Sequence, residues 1–261
     1  MRPIPPPGGM PYRKRDAVWI AIGLVFVLVA AIAGAAGSQP SNVGPRPLFG
    51  SERSHTFIGR SANGDPFRWN PCSPIRYQVD LGRANAHALR DVREAVRRTS
   101  EASGLRFRFE GLVHGSVADL VTSDDFVTAE PDGLRWSPVL IAFRSRRALR
   151  EMGVRGALGV TFPVTSSFDP DQFVSGAVVI NTDAGMQDGF GPGPSLGATL
   201  QHELGHVVGL GHILDPFQLM SPVPVVSDWG RGDLAGLQQL GGGPCLDVPT
   251  AELDSAIVPH P

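Results

Sequence analysis

Three histidines and one glutamate, held within HELGHVVGLGH from His202 to His212, are the residues of this 261-residue sequence best suited to chemistry. His202 and His206 are four apart, so on a helix their imidazoles lie on one face and can reach a single ion. Glu203 follows His202 directly and borders the open side of such an ion, where a carboxylate can take a proton from a bound water. Gly209 sits three residues after His206. It can adopt the positive φ of a sharp turn out of the helix, and that turn lets His212 come back to the same ion. Three neutral imidazoles leave a fourth coordination position open, the arrangement of a catalytic zinc and not of a closed structural one. A two-histidine HExxH pattern is common by chance; a glycine and a third histidine at fixed spacing make coincidence improbable.

The elements that must hold these residues can be read from periodicity. IRYQVDL (Ile75 to Leu81) alternates as a strand. Ala84 to Ser103 carries apolar residues at helical spacing, and Gly104 supplies a stop. Leu105 to Phe109 alternates strictly, and Ala118 to Val121 and Val139 to Phe143 are short apolar runs, all read as strands. Ala157 to Phe162 and Ser175 to Asn181 add two more. After the Gly-rich loop GMQDGFGPGP, Ser195 is placed to cap a helix that starts at Leu196 and runs into the histidine motif; a last helix is expected around Asp233 to Leu240. This order predicts an α+β domain, with an active-site helix and a C-terminal helix packed on one mixed, twisted sheet.

His202, Glu203, His206, Gly209 and His212 together resemble the long zinc motif of the metzincin metallopeptidases. QLMSP, with Met220 eight residues after His212, resembles the Met-turn of the matrixin branch, with Pro222 fixing the turn. The resemblance spans roughly Trp69 to Leu240. WNPCSPIR looks like the domain start of bacterial matrixin-like proteins, and Val178 to Asn181 like the strand before the active-site helix. Gly156 to Pro163 looks like the edge strand above the cleft. The resemblance implies one catalytic zinc on His202, His206 and His212, Glu203 as general base, and Met220 as an apolar floor. It also implies an extended peptide or protein substrate added along Gly156, Ala157, Leu158, Gly159 and Val160. The expected activity is endopeptidase cleavage through a zinc-bound water activated by Glu203; the alternative is an inactive zinc-binding interaction module. Ile213 departs from the matrixin pattern, which has Ser there. The remaining histidines do not form the cluster of a second, structural zinc. Asp183 and Asp188 flank the Gly-rich loop, so calcium is possible there, but a solvated loop is the expectation. Val223, Val225 and Val226 suggest an apolar specificity pocket.

A charge-free apolar run, Ala17 to Gly37, follows a Pro-rich basic tail (residues 1–16). It is long enough for one transmembrane helix, and the basic flank keeps the N-terminus cytoplasmic. Small residues at Ala31, Ala33 and Ala35 also fit a cleaved signal peptide. Both readings place the rest of the chain outside the cytoplasm. Residues 38–66, rich in Pro, Gly and Ser, read as a flexible linker; residues 67–246 as the folded peptidase domain; residues 247–261 as a tail. Cys72 and Cys245 lie near the two ends of that domain. In an exported chain they are expected to form a disulfide, the alternative being two separate buried thiols. A formal net charge of −2 and a pI near 6.4 argue against nucleic acid as a partner. The oligomeric state is not legible.

Overall fold

The computed structural model describes residues 26–29, 50–85, 87–114, 127–130, 133–166 and 169–246. The alternating run after Pro74 forms β3 (Ile75–Asp80), and the apolar runs after it form β7 (Val139–Arg144), β8 (Ala157–Thr165) and β9 (Phe173–Asn181). With β4 (Phe107–Leu112) and β1 (Phe26–Val29) they make one six-stranded sheet in the order β1-β8-β9-β7-β3-β4. β9, β7, β3 and β4 run parallel, and β8 runs antiparallel to β9. The sheet is therefore mixed, with the reversed strand on the side that faces the histidines.

Three helices cover one face of the sheet: α1 (Ala88–Ser103), α3 (Leu196–Val208) and α4 (Arg231–Gly241). Val92 and Ala95 of α1, Leu200 and Leu204 of α3, and Leu237 and Leu240 of α4 meet Val79, Ile141 and Ile180 of the sheet in one core. On the other face, α2 (Arg146–Glu151) sets Leu149 against Leu140, Ala142 and Val179. Strand β7 is thus buried on both faces, as its unbroken apolar run requires. The α+β arrangement expected from the sequence is present.

Several boundaries differ for local reasons. Helix α1 begins at Ala88, not Ala84, because the Asn85 side chain accepts from His87 N at 2.9 Å and makes a turn first. Gly104 ends α1 at φ 77°, as its position suggested. Strand β4 begins at Phe107, opposite Ile75, while Leu105 points into the core. The hairpin of β5 (Val127–Glu130) and β6 (Gly133–Trp136) was not evident from pattern. The strand expected over Ala118 to Val121 lies outside the described residues.

Two observations bear on the N-terminal part. No helix among the described residues is long and apolar enough to cross a membrane. Within the apolar run Ala17 to Gly37, Phe26–Val29 is a strand antiparallel to β8, with Phe26 opposite Thr161 and Val27 opposite Val160. An apolar run of β-branched and aromatic residues suits a strand as well as a helix, and the exposed hydrogen-bonding edge of β8 offers it a partner. The rest of that run, and the two tails, lie outside the described residues. Second, ordered structure reaches back well before Phe67, where composition suggested a linker. β2 (Thr56–Phe57) pairs antiparallel with β10 (Leu210–Gly211), and a Cβ on Gly232 of α4 would stand 2.1 Å from Ser54 O. Pro- and Gly-rich composition hides this strap because its partners are backbone groups far along the chain.

Cys72 and Cys245 form a disulfide, with Cα atoms 5.3 Å apart. Asn70 reinforces the closure: its side chain donates to Leu246 O at 2.7 Å and accepts from Leu246 N at 3.2 Å.

Candidate metal centre

All thirteen residues of α3 are buried, including His202, Glu203 and His206. A helix buried all round must satisfy its polar side chains internally. Its start is held by the Gly-rich loop: Leu196 N donates to Gln187 O at 2.7 Å and Gly197 N to Gly189 O at 2.7 Å. Ser195 takes the N-cap position with extended backbone, but its hydroxyl makes no capping bond, since these loop carbonyls already serve the first N–H groups. At the other end Gly209 adopts φ 124° and its N–H closes on Gly205 O and His206 O. The chain then reverses through β10, where Ile58 N donates to Gly209 O at 2.9 Å and Thr56 Oγ1 donates to His212 O at 2.8 Å. The strap at β2 therefore sets the path that returns His212 to the helix.

The three histidines converge. His202 Nε2 and His206 Nε2 lie 3.1 and 3.2 Å from His212 Nε2. Four ligands placed tetrahedrally at about 2.0–2.1 Å from an ion stand roughly 3.3–3.4 Å apart, close to what is seen. The outer nitrogens fix the tautomers: His202 Nδ1 donates to Leu219 O at 2.6 Å and His206 Nδ1 to Leu210 O at 2.8 Å. Both Nε2 atoms then carry lone pairs directed at His212. A single cation placed between them can be bound by all three Nε2 atoms. Among the described residues this is the group of histidine, cysteine and carboxylate side chains that can hold a metal ion. Burial, first of all, lowers the pKa of His202 to about 3, of His212 to about 4, and of His206 well below the ordinary range. The imidazoles are therefore neutral at pH 7, as metal binding needs.

Glu203 lies on the sheet side of α3. Its Oε2 accepts from Thr161 Oγ1 at 2.7 Å, while Oε1 is buried without a hydrogen-bond partner. Burial pushes this carboxyl up to about 8, opposed by the Thr161 hydroxyl. A cation beside it would pull the value down again. Met220 is buried beneath the histidines: a Cβ on Gly205, which lies between His202 and His206 in sequence, would stand 2.5 Å from Met220 Sδ. Ile213, at the position where the resemblance expects Ser, packs on the core and donates its N–H to Met220 O at 3.1 Å.

Asp233 at the start of α4 holds this turn in place. It is fully buried and accepts from Leu219 N at 2.5 Å, Gly230 N at 2.9 Å and Met220 N at 3.4 Å. Leu219 is the residue whose carbonyl orients His202. Asp233→Ala leaves these buried N–H groups without their acceptor, at a cost of about 2–3 kcal/mol. Metal affinity is expected to fall about 10- to 100-fold through the loosened carbonyl. Thermal unfolding and a competition titration with a chromogenic chelator measure the two effects; parental affinity in this variant would sink the linkage.

The residues expected at the site are brought together in part. His202, His206 and His212 form one cluster; Glu203 adjoins His202 on the same helix, and Met220 packs against Gly205 of that helix. Gly156, Ala157, Leu158, Gly159 and Val160 lie in and just before β8, whose outer edge is paired with Phe26–Val29. Val223 and Val225 are exposed, at 46% and 68%, and Val226 packs on the core. Asp183 accepts from Arg146 N and Asp188 from the Asn85 side chain. Thr56, Thr161 and Asp233 were missed. A Thr inside the apolar run ALGVTF was the one signal for Thr161, and an Asp three residues after Gly230 was the signal for a helix start. Nothing local marked Thr56.

No family model matches the chain, and no curated protein matches it. Among solved structures it is similar to metalloproteinase-II from Bacteroides fragilis, with 13% identity and a TM-score of 0.38. The match covers 67% of this chain and 55% of that one, so this chain spans just over half the length of that structure. At that level the likeness carries no functional weight; the chemistry rests on the site's own geometry.

Proposed function

We propose that this chain is a zinc-dependent endopeptidase of the metzincin class, matrixin-like in its Met-turn, acting outside the cytoplasm. The observation that carries the reading is the convergence of three neutral imidazoles beside a buried carboxylate with one unpartnered oxygen. The disulfide supports an oxidising compartment.

His202, His206 and His212 would hold the ion, with Leu219 O and Leu210 O keeping two rings in the binding tautomer. When bound, zinc would polarise the scissile carbonyl and acidify the attacking water. Glu203 takes the water's proton on Oε1 and passes it to the leaving amine. Strand β8 aligns the substrate: an extended peptide pairs with its outer edge, where Phe26–Val29 now lies, so those four residues must leave before a substrate can take their register. The buried surroundings of Glu203 exclude competing water from the base.

The test is to incubate the full chain with a diverse peptide library and map the cuts by mass spectrometry, with and without 1,10-phenanthroline. Metal content is measured in parallel. Cleavage is expected to stop with the chelator and to return on adding zinc. Cuts that survive metal removal would overturn the zinc assignment. One zinc per chain with no cleavage of any peptide would instead make the chain a non-catalytic zinc-binding module.

A further inference from the structure

Thr161 makes two kinds of contact that coincide at no other residue of β8. Its backbone lies opposite Phe26, at the position where an added strand is held. Its side chain stands out of the plane of the sheet, towards α3, and is fully buried. There Oγ1 stands 2.7 Å from Glu203 Oε2 and 3.1 Å from Glu203 O. A hydroxyl has one proton, and the shorter, better acceptor is the carboxylate oxygen. Gly159, two residues earlier on the same face of the strand, complements this. A Cβ there would lie 2.7 Å from Glu203 Oε1 and 2.8 Å from Glu203 Cγ, so the absence of a side chain gives the second oxygen its room.

We infer that Thr161 is a positioning residue for Glu203: its hydroxyl ties Oε2 to the sheet and so leaves Oε1 as the oxygen presented to the reacting water. The inference rests on the reading of Glu203 as the base. Glu203 is long and has several rotamers, and no other hydrogen bond holds its carboxylate among the described residues. An untied carboxylate would spread over those rotamers, and a displacement of about 1 Å at a reacting group costs roughly 100-fold in rate. Because the same residue carries the strand added to β8, alignment of the peptide and aim of the base are referred to one point on the sheet.

The test uses the full chain and two substitutions. Thr161→Val keeps the shape and removes the hydroxyl; Thr161→Ser keeps the hydroxyl. Thr161→Val is expected to lower kcat about 10- to 100-fold with KM within twofold of the parent and one zinc still bound. Thr161→Ser is expected to stay within a few-fold of the parent. Crystal structures of the parent and of Thr161→Val supply a reading that needs no activity, with the Glu203 carboxylate shifted from its parental position in the variant. The inference is overturned if Thr161→Val keeps parental kcat, if Thr161→Ser is as impaired as Thr161→Val, or if the carboxylate does not move. A parent that cleaves nothing sinks the peptidase reading, and the two crystal structures still decide the positioning.

Discussion

Glu203→Gln is expected to lower kcat/KM roughly 10²- to 10⁴-fold, the range that general-base catalysis contributes, while one zinc per chain remains bound. The amide has nearly the same shape as the carboxylate, so the cavity between α3 and β8 stays filled. Its carbonyl oxygen can still accept from Thr161, and its NH2 group can no longer take a proton from water. The three imidazoles and their orienting carbonyls at Leu219 and Leu210 do not involve Glu203. Stability of the metal-free chain is not expected to fall, because burial there already disfavours the charged form of Glu203, and a neutral isostere removes that penalty. Steady-state kinetics on a mapped substrate, metal analysis and a thermal scan make the comparison. A Glu203→Gln chain that cuts as fast as the parent would remove Glu203 from the mechanism. Loss of zinc together with activity would mean that the residue serves the metal site and not the proton.

The second large effect concerns stability. Replacing both Cys72 and Cys245 by Ser opens a loop closed across 173 residues of sequence. The chain-entropy model puts the loss on the order of 5 kcal/mol, and removal of native disulfides costs about 2–5 kcal/mol in practice. For a domain of this size that corresponds to a fall in Tm of roughly 10 °C. The bridge joins the segment before β3 to the chain after α4. Asn70 pairs with Leu246 and Arg68 donates to Pro244 O at 3.0 Å, so the native ends stay close without it. The loss therefore falls chiefly on the unfolded state, whose entropy rises. Since none of the three histidines touches the bridge, kcat at a temperature well below the new Tm is expected to match the parent. Calorimetry of the double variant beside the parent checks this; an unchanged Tm would show that the loop contributes nothing.

Much of the histidine-bearing helix was legible because its cues are local. Four-residue spacing places His202 and His206 on one helical face whatever surrounds them. Gly209 at φ 124° is the turn that the return of His212 demands. Strands β3, β7, β8 and β9 were visible because their alternation or unbroken apolar runs are properties of a few consecutive residues. The apolar run at Ala17 to Gly37 shows the limit of the same reasoning. Hydropathy alone suits a membrane helix, a signal segment or a strand, and the pairing of Phe26–Val29 with β8 depends on an edge more than a hundred residues away.

HELGHVVGLGH by itself determined that three imidazoles and a carboxylate would share one helix and one turn, because helix geometry is set by neighbouring residues. Only the tertiary structure decided which groups orient them. Leu219 and Leu210 supply carbonyls to the rings, Asp233 secures the turn at Met220, Thr56 holds the return of His212, and Thr161 grips Glu203. These partners come from β2, β8, β10, the turn at Met220 and α4. A hydrogen bond between distant segments leaves no periodic trace in either of them, since each requires only one polar atom at one point in space.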